Sequence, residues 1–387
     1  MPTHTELSLG GRGAVLLAAF GGLVFAGVQL GLSPISRPIA IHFLGAAFDE
    51  SDAGQWLAYY TAAMTLGAAF GGIFLGALGD RIGRTRAMGW SILALSMFAA
   101  AGAFVENQTQ LLILRFLTGV GVGGVWPNGA ALVAECYPRA SRPLVAGVVG
   151  AGINVGILLL SQFAQHRPIT PDDWRWLFAW SAAPALLGLA AIALIPESPN
   201  WLAARGEKAI NEKAIGRSAK SAPLSQLFRR PLLRSTIMGI VLGTIPLVGA
   251  WAGTKWIYPW ANKVGSANGW AGFQERTQGC WAAGAVLGSF FGAPIANFLG
   301  RRISYFAISL ATVVLTCGLF AFSEPSSPIF LPWVFTQGFV ATLFFGWLPL
   351  NLPQMFPVEV RATGCGIAYN SGRFITACGV FGAGLLV

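Results

Sequence analysis

The chain has 387 residues, is 55% hydrophobic and only 10% charged, and carries a net charge of +10. Soluble domains hold roughly 25% charged residues, so this composition excludes a water-soluble fold and indicates an integral membrane protein. The basic balance does not indicate a nucleic-acid partner. Of the 25 Lys and Arg, 17 lie on segments assigned below to the cytoplasm and 6 on external ones, leaving Arg115 and Arg373 inside apolar spans. Lysine and arginine beside membrane spans resist translocation, so the lipid bilayer accounts for the charge.

Residues 1–12 form a short polar tail, read as cytoplasmic. The first apolar run, 13–33, is too long for a signal-peptide core and lacks a small-residue cleavage site, so it is expected to be a retained first helix. Further runs follow at 54–79, 87–105, 111–134, 143–163 and 175–195, each near the ~20 residues that cross ~30 Å of hydrocarbon. Residues 196–230 break the pattern with seven Lys and Arg against three Glu. This segment reads as a cytoplasmic linker, with 207–217 as a helical stretch within it. Five more runs appear at 232–253, 277–299, 303–322, 329–352 and 362–387. The expected architecture is an all-α membrane protein with a six-helix bundle over 1–195, a linker over 196–230 and five spans over 231–387. That makes eleven spans and puts the carboxyl terminus outside; the location expected is the bacterial inner (plasma) membrane. Fifty glycines suit membrane helices, whose backbones they let approach closely. The five cysteines show no C-x-x-C spacing and read as free thiols used as small apolar residues.

Two pairs of loops repeat along the chain. The loop Gly76-Ala77-Leu78-Gly79-Asp80-Arg81-Ile82-Gly83-Arg84 has a degenerate second copy at Asn297-Phe298-Leu299-Gly300-Arg301, offset by 217 residues. Glu135-Cys136-Tyr137-Pro138 through Arg142 lines up with Gln354-Met355-Phe356-Pro357 through Arg361, offset by 219. An even number of spans from one copy to the next makes these parallel repeats, with substrate expected near the midplane between the two halves.

The G-x-x-x-D-R-x-G-R loop resembles the signature between helices 2 and 3 of the major facilitator superfamily of transporters. Arg115-Phe116-Leu117-Thr118-Gly119 resembles its helix-4 motif. Pro196-Glu197-Ser198-Pro199-Asn200-Trp201-Leu202 is similar to the segment after helix 6 of sugar porters and of sialate and organic-acid symporters, with Asn200 in place of arginine. Ala368-Tyr369-Asn370-Ser371-Gly372-Arg373 resembles helix 11 of the organic-acid group. The paired glutamines of sugar porters, the helix-5 antiporter proline and the helix-1 aspartate of proton-coupled relatives are absent. The resemblance implies twelve spans in most members, one more than counted here. It also implies that Gly76, Asp80, Arg81, Gly83, Arg84, Glu135, Arg142, Arg301 and Arg361 act in conformational change, with Asp80 holding the cytoplasmic side closed against helix 11. Asn297 replaces the acid in the second copy, so that lock is expected to be asymmetric.

All 15 Asp and Glu fall in loops or at span ends, so no intramembrane carboxylate is expected as a proton carrier. Arg373, twelve residues into helix 11, is expected near the midplane, where an anionic substrate would supply its missing partner; bonding to backbone carbonyls or water is the alternative. Arg115, about four residues from the outer end of helix 4, either joins it or reaches outward to the surface. The repeat sets Asn154 opposite Arg373, with Asn370 on the face of Arg373 and Gln29 in the outer half of helix 1; each serves either substrate or helix–helix adhesion. Trp251, Lys255 and Tyr258 form a stripe that is either an interfacial belt or an outer gate. Gly119-Val120-Gly121-Val122-Gly123-Gly124 lies inside a span and lacks the strand-turn-helix context of a dinucleotide site.

The expectation is a secondary transporter, without cofactor, metal or enzymatic activity, that moves a small organic anion such as a sugar acid by alternating access. A proton or another ion is the coupling partner the resemblance implies. A neutral-sugar carrier is the nearest alternative, and a receptor-like, non-transporting relative the alternative of another class.

Overall fold

The computed structural model describes residues 7–32, 35–138, 141–206, 224–252 and 254–384. The helical stretch expected at 207–217 lies outside them. The described chain is helical: α1 (Leu9–Leu30), α2 (Ser36–Leu44), α3 (Glu50–Ile82), α4 (Arg84–Ala101), α5 (Gln108–Cys136), α6 (Arg142–His166), α7 (Arg175–Trp180), α8 (Pro184–Ala193), α9 (Leu233–Pro246), α10 (Ile257–Ala267), α11 (Phe273–Leu299), α12 (Arg301–Phe322), α13 (Phe330–Asn351) and α14 (Arg361–Gly384). Among the described residues, ten helical stretches are long and apolar enough to cross a membrane, with α7–α8 and α9–α10 each counting as one. The eleventh expected span is α14. Its 24 residues reach ~36 Å at ~1.5 Å per residue, but Arg361, Asn370 and Arg373 make it too polar to qualify on composition. It packs on α3 and α9, which shelter those residues from lipid.

Glycine sets the closest contacts. Gly67 and Gly71 of α3 lie on the Phe116 and Val120 carbonyls of α5, leaving no room for a Cβ. Gly284 and Gly288 of α11 meet the Phe335 and Phe339 carbonyls of α13 in the same way. The spacing is the small-x-x-x-small pattern that brings membrane helices together, and the two pairs stand 217 residues apart. The loop repeat is therefore also a packing repeat. At Gly83 (φ 110°) and Gly300 (φ 83°) the chain passes from one helix into the next with a single non-helical residue, a backbone conformation that an L side chain rarely adopts.

Two features depart from the expected elements. The seventh span does not end at 253. After Pro246 the chain passes through a π-helical stretch, Leu247–Ala252, and a 3₁₀ turn, Thr254–Trp256, before α10 carries it on to Ala267. Proline offers no N–H to the carbonyl four residues back, and the Tyr305 hydroxyl donates to that Leu242 carbonyl instead, at 2.8 Å. The short α2 lies across the outer end of the bundle, burying Ile39 beside Ile35 and Trp174. Nine residues are too few to span the membrane, so no hydropathy run announces it.

Candidate functional site: an outer cationic cavity and an inner charge cluster

A cavity opens among the outer ends of α1, α3, α5 and α14, the end that the basic loops assign to the outside. Its lining bounds about 800 Å³ of empty space, including the opening. Most of the wall is apolar, from Leu30, Ile35, Leu57, Met64 and Val380. Into it face three cations from three elements: Arg115, Lys255 and Arg373. Among the described residues, no carboxylate lines it.

Arg373 is 5% exposed, and its Nε is buried without a hydrogen-bond partner among the described residues. Its guanidinium stands 5.5 Å over the Tyr369 ring, and Tyr369 stacks on Trp126 of α5 at 4.1 Å between centroids. The two rings close the space between α5 and α14 one turn inward of Arg373. The Tyr60 hydroxyl also lines the cavity, buried and unpartnered among the described residues.

Arg115 lies deeper than expected. Because α5 begins at Gln108, Arg115 is seven residues into it, ~10 Å at ~1.5 Å per residue. It does not reach outward to the surface. It is 5% exposed and donates to the Gln29 side-chain oxygen at 2.9 Å and to the Gln29 carbonyl at 2.6 Å. The Gln29 amide in turn donates to Ser181 at 2.7 Å. Gln29 is thus a bracket for Arg115 rather than part of the cavity wall. The next two carbonyls at the α1 terminus are also taken, Leu30 by Lys255 Nζ at 3.0 Å and Gly31 by Gln278 of α11 at 2.8 Å. A cation suits the negative end of the helix dipole.

Other expected residues sit elsewhere. Asn154 faces α11, its amide 3.5 Å from the Ser289 hydroxyl. Asn370 donates to its own helix at Gly366 and presses on Gly72 of α3, where a Cβ would collide with its amide. Neither belongs to the cavity wall, because the α14 face that lines it runs through Arg373, Thr376 and Val380. Tyr258 is buried in a separate small cleft with Lys255, Gln278 and Trp281, not at an interfacial belt. The Trp251 side chain lies outside the described residues. Tyr60 and Gln278 were not among the expected residues; a lone tyrosine or glutamine in a span carries no pattern of its own.

At the opposite end, Arg84 is fully buried. It pairs with Asp80 at 3.1 Å and Glu135 at 3.3 Å and donates to the Gly79 and Val358 carbonyls. Arg361 joins Glu135 at 3.0 Å, and the Ser198 hydroxyl donates to the same carboxylate. Gly76 lets α3 pass close to the Ala362 carbonyl. One turn on, Asp80 accepts the N–H groups of Ala362 and Thr363 at 3.2 and 2.8 Å. Glu197 caps α4 through the Arg84 and Thr85 N–H groups at 3.0 and 3.1 Å, an end that Gly83 makes sharp. Arg142 donates to the Tyr137 carbonyl at 3.0 Å. Arg81 is exposed and its carbonyl accepts from Arg205 at 3.2 Å. In the second copy Asn297 and Arg301 are both exposed, and among the described residues Arg301 makes no ion pair.

A buried cationic cavity thus lies at one end and a carboxylate–guanidinium cluster ties α3, α5 and α14 at the other, in a chain that is similar to known proteins over most of its length. The chain is 30% identical over 321 residues to a probable 4-methylmuconolactone transporter of Cupriavidus pinatubonensis, covering 82% of this chain and 72% of that protein. It is 27% identical over 389 residues to a cis,cis-muconate transport protein of Acinetobacter baylyi, covering 96% and 89%. Among solved structures it is similar to the proton:xylose symporter XylE bound to 6-bromo-6-deoxy-D-glucose, with a TM-score of 0.68, 18% identity and coverage of 97% and 95%; that likeness speaks for the fold. The family model of the Major Facilitator Superfamily matches residues 57–380. The chain belongs to the Major Facilitator Superfamily and is an integral membrane protein.

Proposed function

We propose that this protein carries a small organic anion across the membrane by alternating access, with Arg373 holding the substrate carboxylate. The observation that carries the reading is the buried Arg373 Nε, without a hydrogen-bond partner among the described residues, in a cavity wall that contains two further cations and no carboxylate. A buried guanidinium is stabilised by a planar anion that takes two of its donors at once. Relatives named as muconate, 4-methylmuconolactone and 4-hydroxybenzoate transporters support an organic acid, or its lactone, over a neutral sugar. In this reading the Trp126–Tyr369 stack and the Asp80–Arg84–Glu135–Arg361 cluster close the cytoplasmic side. The contacts at the α1 terminus close the outside, and the two sets break in turn. Among the described residues, this wall holds no carboxylate for a coupling proton to ride on.

The test is counterflow in proteoliposomes without an ion gradient, using labelled organic acids against labelled hexose. Acid-specific counterflow that disappears in Arg373→Gln, with protein still in the membrane, is expected. Hexose counterflow would favour the neutral-sugar reading. Saturable acid binding without counterflow would favour a receptor-like relative.

A further inference from the structure

We infer that the cavity is built for a dianion, a compound with two carboxylates, and that Lys255 selects the second of them; this rests on the organic-anion reading above. Arg115, Lys255 and Arg373 face one apolar space from α5, the Thr254–Trp256 turn and α14, and among the described residues the wall contributes no negative charge. A monocarboxylate on Arg373 would leave two cations in a low-dielectric wall, an arrangement that favours taking up a further negative charge.

The cations also come from different elements, Arg373 from α14 and Lys255 from beside the α1 terminus, where it bonds Leu30. Two carboxylates joined by a short carbon chain would set one on Arg373 and the other at Lys255. On α1, Arg115 and Lys255 donate to neutral acceptors, the Gln29 and Leu30 oxygens. A hydrogen bond between two ionised groups is roughly twice as strong as one to a neutral acceptor, so a carboxylate displaces the Leu30 carbonyl from Lys255. Arg115 stays braced by Gln29 and adds its charge from behind. Specificity then comes from the Lys255 ammonium, which a second carboxylate draws from the Leu30 carbonyl and a monoacid leaves there.

The experiment is counterflow of labelled adipate, hexanoate, terephthalate and benzoate in proteoliposomes at neutral pH, followed by competition with the monomethyl ester of the preferred diacid. Diacid counterflow is expected, with the half-ester at least about tenfold weaker, the effect of one lost charge-assisted hydrogen bond. In Lys255→Met that preference should fall to about threefold or less while monoacid competition persists. The half-ester comparison needs no variant, so it holds even where Lys255→Met fails to insert. Equal competition by diacid and half-ester, or counterflow of the monoacids alone, would overturn the inference and leave the organic-anion reading standing. Silence for all four acids, from folded protein, would remove both.

Discussion

Asp80 caps the helix that carries Arg373: its carboxylate accepts both the N–H and the hydroxyl of Thr363 in the first turn of α14, while the last turn of α3 holds it in place. An anion at a helix N-terminus is favoured by the unpaired N–H groups and the dipole. Ten residues separate Thr363 from Arg373 on one rigid helix, so movement at one end is felt at the other.

Removing that cap should therefore loosen the cytoplasmic closure. Cys365, two residues beyond Thr363, is fully buried and reports on it. In Asp80→Ala its alkylation by N-ethylmaleimide is expected to accelerate by about tenfold or more, because hydrogen bonds to a charged group contribute ~1.5–3 kcal/mol. An unchanged rate would separate Asp80 from closure.

Glu135 is the hub of the inner cluster, shared by Arg84 and Arg361. Neutralising it as Glu135→Gln leaves a fully buried Arg84 with Asp80 as its remaining carboxylate. Breaking a buried pair from one side costs ~3–5 kcal/mol, so a clear fall in the unfolding temperature in detergent is expected. Arg361→Lys keeps a charge beside Glu135 and should lower it less. The reverse order would place the stabilising contact elsewhere.

The two glycine turns predict unequal penalties. Both have positive φ, and an L residue there costs on the order of 1–2 kcal/mol. At Gly83 a Cβ would also strike the Glu197 carboxylate, whereas at Gly300 it meets open space. Gly83→Ala should destabilise the protein more than Gly300→Ala in thermal unfolding. Equal losses would mean that Glu197 moves aside without cost.

Tyr305→Phe removes the donor that satisfies the Leu242 carbonyl below Pro246. A buried acceptor left unpaired costs ~1–3 kcal/mol. Faster amide exchange is expected around the Leu247–Ala252 stretch, measured by mass spectrometry against the unaltered chain. Unaltered exchange would show that the break in the seventh span is held by other contacts.

Much of this organisation is legible in the residues themselves. Apolar runs of spanning length placed the helices, since a bilayer accepts little else, and the repeated glycine–arginine loops disclosed a repeat that the structure shows again in the α3–α5 and α11–α13 packing. Arg373 stood out because an arginine in the middle of a span without an acid beside it has few inexpensive solutions. The helix break after Pro246 was harder to see. Its cue is one proline, and the tyrosine that satisfies the freed carbonyl lies 63 residues away.

What the sequence determined by itself was the class, the spans and the presence of arginines within them, because each follows from hydrophobicity and charge along a single helix. Which polar residues share a space was decided only by tertiary structure. A period of 3.6 residues places Asn370 within one turn of Arg373, but the close approach of α3 at Gly72 takes Asn370 into a helix contact and leaves Arg373 to the cavity. The α1 terminus takes Arg115, Lys255 and Gln278 from three distant segments. Its unpaired carbonyls accept any donor the fold brings near, and no local pattern names that donor in advance.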